Sequence, residues 1–91
     1  MSVIRRRVVI HGLVQGVGFR YLAARRAETA GLSGFVRNRG DGAVEAAFEG
    51  PAEAVEAIVR WCEHGPRGAV VDRVEVASEE PDGSRGFRIV A

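Results

Sequence analysis

Residues 11–20 read HGLVQGVGFR and run straight into YLAARRAETAG at 21–31. The stretch closes an alternating apolar run, places Gly12, Gly16 and Gly18 within seven positions, and ends on Arg20 where a helical pattern starts. Strand, glycine loop, helix is an arrangement that builds an anion cradle. Glycines let backbone N–H groups converge without side chains in the way, a helix N-terminus adds the positive end of a dipole, and a guanidinium holds two oxygens at once. The donors offered are the N–H groups of Gln15, Gly16, Val17, Gly18, Phe19 and Arg20, with the Arg20 guanidinium beside them.

Working outward, residues 3–13 set Ile4, Val8 and Ile10 at even spacing against Arg5, Arg7, Val9 and His11, the pattern of a half-buried strand. Beyond the loop, Phe19, Leu22, Ala23, Ala27 and Ala30 fall on one side of a helix, and Gly31 suits the position just past its end. Residues 33–39 and 43–49 alternate again and are joined by Gly40, Asp41 and Gly42, a hairpin signal. Gly50 and Pro51 open a second helix with Glu53 and Glu56 near its positive end. Val55, Ile58, Val59 and Cys62 form its buried stripe, and His64, Gly65 and Pro66 stop it. Residues 70–78 alternate Val70, Val74 and Val76 with Arg73, Glu75 and Ala77, and 87–90 supply a short last strand after a turn at 81–84. The order βαββαβ plus a small terminal strand predicts the α+β class. Its favoured packing is one antiparallel sheet with both helices on the same face, the ferredoxin-like arrangement, over a single domain spanning 1–91.

Composition narrows the chemistry. Ninety-one residues, 46% of them hydrophobic, suit one globular domain. Thirteen basic residues against twelve acidic ones leave a net charge of +1, so no global field draws the chain to nucleic acid or membrane. All thirteen are arginine, which excludes Schiff-base chemistry and the phosphate-binding lysine of a P-loop. Tyr21 stands where a dinucleotide fingerprint needs its third glycine, and no serine sits in a nucleophile elbow. One cysteine forms no internal disulfide, and no secretory or membrane-length apolar run follows Met1, so the expected setting is the cytoplasm. Cys62 is read as core, and His11 and His64 as structural. The rival from another class is an RNA platform built from Arg5, Arg6, Arg7, Phe35 and Arg37 on an open sheet face. Against it, GFVRN falls on the second strand instead of the third, and an arginine triplet is more often a solvated strand end.

The loop VQGVGFR at 14–20 together with GFVRNRGDGAVE at 34–45 resembles the two signature segments of the acylphosphatase family, and the resemblance extends to Phe87, Arg88 and Ile89. It implies a ferredoxin-like fold and hydrolysis of carboxyl-phosphate anhydrides to carboxylate and inorganic phosphate, with no metal, cofactor or covalent intermediate. By position, the family's site arginine is Arg20 and its site asparagine is Asn38. Phe35 stands where many members carry tryptophan, a departure that bears on local packing. Domains of this kind also begin larger hydrogenase-maturation carbamoyltransferases, where the loop handles carbamoyl phosphate; a free-standing monomeric enzyme is the expectation here. Its partners would be a small acyl phosphate and, as ligands, inorganic phosphate or sulfate, with no nucleic acid and no membrane.

The chemistry fits the residues. A carboxylate leaving group, whose conjugate acid has a pKa of about 4, departs with little general-acid help. Donors aimed at the equatorial phosphoryl oxygens could therefore suffice, with the Asn38 amide orienting the water because it adds no negative charge to repel the phosphate.

Overall fold

The computed structural model describes residues 2–91. The elements are β1 (Val3–Leu13), α1 (Phe19–Thr29), β2 (Ser33–Asn38), β3 (Val44–Pro51), α2 (Ala52–Cys62), β4 (Val70–Glu79) and β5 (Phe87–Ile89). The strands form one sheet in the order β4-β1-β3-β2-β5. β3 pairs antiparallel with β1 and β2, and β1 pairs antiparallel with β4. It follows that β1 and β2 run the same way with β3 between them, and β3 and β4 run the same way with β1 between them. These are two split βαβ units, the expected ferredoxin-like order.

β5 is the one departure from an antiparallel sheet: it pairs parallel with β2 at the far edge. Chain direction explains it. β4 ends at Glu79 opposite Arg5, the starting end of β1, and hence of β2. The chain crosses the sheet at that end and can then only run alongside β2 in the same sense. Glu49 pins the crossing, accepting the N–H of Asp82 and of Gly83 at 3.0 Å each.

The core lies between the sheet and both helices. Val8, Ile10, Val36, Val44 and Phe48 from the strands meet Phe19, Ala23 and Ala27 of α1 and Val55, Ile58 and Cys62 of α2. Each buried Val, Ile or Phe contributes about 1.5–3 kcal/mol. Phe19 packs on Trp61 with ring centroids 5.2 Å apart, tying the first turn of α1 to the last turn of α2. Phe48 stacks on Phe87 at 5.5 Å, which holds β5 to the sheet.

Three expectations need correction. Leu22 is 37% exposed and Ala30 is exposed, because α1 lies on the sheet along the line Phe19, Ala23, Ala27 and buries Ala24 on its flank instead. Val70 and Val76 stay 53% and 49% exposed because β4 is an edge strand; its alternation is also interrupted where His11 pairs with Arg73 and Gly12 with Val71, leaving Asp72 as an extra residue. Arg5 and Arg7 are not a solvated strand end. The pairing register lines up Glu79, Arg5 and Glu49 across the helix-free face. Arg5, only 6% exposed, bonds Glu49 at 3.1 Å and Glu79 at 3.0 Å. Arg7 bonds Glu45 at 2.8 Å and also Glu79, while Arg37 reaches Glu45 at 2.6 Å. Burial by itself would raise the Glu45 carboxyl, but the hydrogen bonds from Arg7 and Arg37 outweigh it and hold the group below its ordinary value.

Candidate active site

Because β1 and β2 run in the same direction, the loop that follows β1 and the last residue of β2, Asn38, emerge at one end of the sheet. β5, parallel to β2, brings Ile89 to the same end.

The loop owes its path to two glycines. Gly16 has φ 77° and Gly18 φ 80°, left-handed conformations that L side chains rarely adopt. A Cβ at either position would meet nothing within 4 Å, so dihedral angle and not space is what calls for glycine. Gly18 is also the N-cap of α1. No side chain caps that terminus, and its first turn carries no acidic residue. The positive end of the dipole therefore faces the loop unneutralised, whereas α2 has Glu53 in its first turn. Among the described residues, the N–H groups of Gln15, Gly16, Val17, Gly18, Phe19 and Arg20 have no acceptor; the first helical bond runs from the N–H of Leu22 to the carbonyl of Gly18, at 3.0 Å. Phe19, buried in the core, anchors this free terminus from below.

A cleft of about 210 Å³ opens at this end of the sheet. Gly16, Gly18, Phe19, Arg20 and Asn38 line it, with Val14, Tyr21 and Ile89 completing its walls. Arg20 is exposed and forms no ion pair among the described residues. Asn38 Oδ1 is buried and has no hydrogen-bond partner among the described residues. A buried carbonyl left unsatisfied costs about 1–3 kcal/mol.

Of the residues singled out in the sequence, two do not line the cleft. Val17 packs partly against the core. Gln15 turns its side chain toward the hairpin, where Nε2 donates to the carbonyls of Arg39, at 2.8 Å, and Ala43, at 3.0 Å. Val14, Tyr21 and Ile89 were missed by sequence reasoning. Tyr21 follows Arg20 in the first helical turn and could have been inferred; Ile89 could not, since its place depends on the parallel edge strand.

The other titratable groups sit elsewhere. His11 pairs with Glu75 and Arg73 at the β1–β4 margin. The Cys62 thiol is buried and pushed up to about 12, first by desolvation and then by Glu63, which keeps it protonated and inert. Phe35 lies on the helix-free face, where the Arg7 guanidinium sits 5.3 Å from its ring centre. Among the described residues, no three His, Cys, Asp or Glu side chains cluster as metal ligands would, and no helix is long and apolar enough to cross a membrane.

A sequence profile of the acylphosphatase family matches residues 6–89. An acylphosphatase of Trichormus variabilis is 54% identical over 88 residues, covering 97% of this chain and 87% of its own. The crystal structure of acylphosphatase from Bacillus subtilis superposes with a TM-score of 0.92 at 36% identity, over 97% of this chain and 99% of that one. Full-length HypF in its phosphate- and nucleotide-bound form contains a similar region, with a TM-score of 0.87 at 30% identity over 99% of this chain and 12% of HypF.

Proposed function

The chain belongs to the acylphosphatase family and acts as a hydrolase of acyl phosphates, and from that premise we propose how its own residues carry the reaction. The backbone N–H groups of Gln15, Gly16, Val17, Gly18, Phe19 and Arg20 cradle the phosphoryl oxygens, the Arg20 guanidinium clamps two of them, and Asn38 orients the attacking water. The carboxylate leaves without a dedicated acid, because its conjugate acid has a pKa of only about 4. Negative charge spreading over the equatorial oxygens in the transition state is met by donors already in place, so little reorganisation is needed as the reaction proceeds.

The observation that supports this reading best is the cleft itself. Among the described residues, it gathers the unpaired backbone N–H groups of Gly16, Gly18, Phe19 and Arg20, an unpaired guanidinium and the Asn38 amide, whose oxygen has no partner, around one space. The reaction is metal-independent on this account: charge stabilisation comes from the cradle, and the cleft lining contains no carboxylate, histidine or cysteine to ligate a cation. Inorganic phosphate and sulfate are ligands of the same cradle. The enzyme works as a monomer in the cytoplasm, a setting that suits its single, buried, free thiol.

RNA binding is not favoured, since three of the four arginines such a platform would use, Arg5, Arg7 and Arg37, are already held by Glu45, Glu49 and Glu79. Carbamoyl transfer is also not favoured: the acylphosphatase of Trichormus variabilis is 54% identical to this chain, against 30% for the similar region of HypF. The deciding assay is phosphate release from acetyl and benzoyl phosphate by purified protein, with an RNA titration alongside. Hydrolysis inhibited competitively by inorganic phosphate is expected; RNA affinity without hydrolysis would overturn the reading.

A further inference from the structure

Gln15 belongs to the cradle loop, yet its side chain is committed elsewhere. Its amide nitrogen donates to Arg39 O at 2.8 Å and to Ala43 O at 3.0 Å. These are the two residues that close the β2–β3 hairpin, where the Arg39 N–H also donates to Ala43 O at 2.8 Å. Arg39 directly follows Asn38. One amide thus uses both its hydrogens to bind the loop carrying the phosphate donors to the backbone that carries Asn38. Among the described residues these two are the only side-chain hydrogen bonds from the loop at 14–18 to the hairpin.

We propose that Gln15 is a positioning residue, whose side chain sets the distance between the cradle and the Asn38 amide and so aligns the water with the phosphorus. This rests on the roles given to the cradle and to Asn38 above and goes beyond them, because it assigns to a side chain outside the cleft the alignment of two groups inside it. In-line attack is sensitive to such alignment: a displacement near 1 Å costs up to about a hundredfold in rate. The chemistry of the contact also fixes which substitutes serve. Both partners are carbonyl oxygens, so a donor is required and a carboxylate is repelled. The backbone N–H of residue 15 remains whatever its side chain, so phosphate affinity should move less than turnover.

The test is a double-mutant cycle on kcat with benzoyl phosphate, with KM and the inhibition constant of inorganic phosphate measured for each folded variant. Gln15→Met, which keeps length and loses both donors, is expected to lower kcat about tenfold or more, with a smaller change in KM. In the Asn38→Ala background the same change should cost less than about threefold, since the group it aligns is gone. Equal losses in both backgrounds would show that Gln15 does not act through Asn38 and would overturn the proposal. If Asn38→Ala alone leaves kcat intact, the water-orienting role fails first, and the proposal with it; the two failures are thereby told apart. Gln15→Glu supplies the second readout. The ratio of its kcat to that of the unsubstituted enzyme should rise as the pH falls through about 4.3, where a carboxyl regains a proton to donate. A ratio flat with pH contradicts the proposal.

Discussion

Replacing Asn38 by alanine should separate activity from stability, with opposite signs. Asn38 Oδ1 is buried without a partner among the described residues, and a buried acceptor left unsatisfied costs a folded protein about 1–3 kcal/mol. Alanine removes that cost. It also removes some packing, but Asn38 is only partly buried and stands at the last position of β2, so the loss is small. The net change should lie between zero and a gain of about 2 kcal/mol, and in a domain of this size each 1 kcal/mol moves Tm by about 4–8 °C. Turnover should fall by about a hundredfold, near 2.7 kcal/mol of barrier, with KM little altered, because the amide serves the water and not the phosphate. Asn38→Asp should do no better, since its charge opposes the substrate dianion. The measurements are thermal melts followed by circular dichroism and phosphate release under saturating acetyl phosphate. A Tm lowered by more than 5 °C, or a kcat within about threefold of the unsubstituted enzyme, would refute the reasoning.

Arg20→Ala should cost about 2–4 kcal/mol in kcat/KM and weaken phosphate inhibition, the lower part of the range for a truncated charge pair because Arg20 is exposed in the free protein; Arg20→Lys should recover little, having lost the planar fork. Inorganic phosphate should raise Tm beyond a chloride control of equal ionic strength, by about 2.7 kcal/mol of stability at one hundred times its Kd, and the absence of any excess would count against the cradle. Extensive treatment with EDTA should leave the hydrolysis rate unchanged; a loss restored by a divalent ion would remove the metal-independent mechanism. In acid, the Glu79 carboxyl is depressed chiefly by its hydrogen bond from Arg7, against desolvation and with help from Arg5, and Glu45 is depressed by Arg7 and Arg37 against its own burial. Groups with a lowered folded pKa stabilise fully above their ordinary value of 4.5 and lose that contribution as pH falls through the folded one. Urea midpoints should therefore decline below about pH 4.5, and Glu79→Gln should flatten that decline while lowering stability at pH 7.

Local chemistry and the β2–β3 hairpin were legible in the sequence, and the register between distant strands was not. The glycine loop could be read because Gly16 and Gly18 meet a requirement on backbone dihedrals that each residue states for itself. Strand and helix limits were legible for the same reason: alternation and helical periodicity are local, and the Asp41 turn encodes its own geometry, with Oδ1 accepting the Ala43 N–H at 3.1 Å. The ion-paired lattice of Arg5, Arg7, Arg37, Glu45, Glu49 and Glu79 was invisible because it depends on the register of β1, β3, β2 and β4, which no single segment carries. The same holds for Asp72, whose extra place in β4 appears only against β1, and for Ile89, which reaches the cleft through a crossing fixed by Glu49. Leu22 misled for a different reason. Helical spacing gives the side of a helix, but the width of the buried stripe depends on how the helix lies on its sheet.

That a site with so few functional side chains can serve a hydrolase follows from the direction of the strands. In the order β1-β3-β2 the outer pair are parallel, so their C-terminal ends face one way, and the antiparallel β3 starts between them. A loop leaving β1 at that end meets the hairpin leaving β2 without any long excursion, and Ala43, just before β3, lies between the two. Gln15 spans this gap, bonding the carbonyls on both sides of the turn. The helix that continues the loop must run back over the sheet to reach β2, so its free N-terminus is left at the same end, held there by Phe19 against Trp61. Backbone donors, dipole, guanidinium and amide are thus brought together by the chain path of a split βαβ unit. Side-chain chemistry enters only where backbone cannot serve, in a planar fork for two oxygens and an uncharged amide for a water.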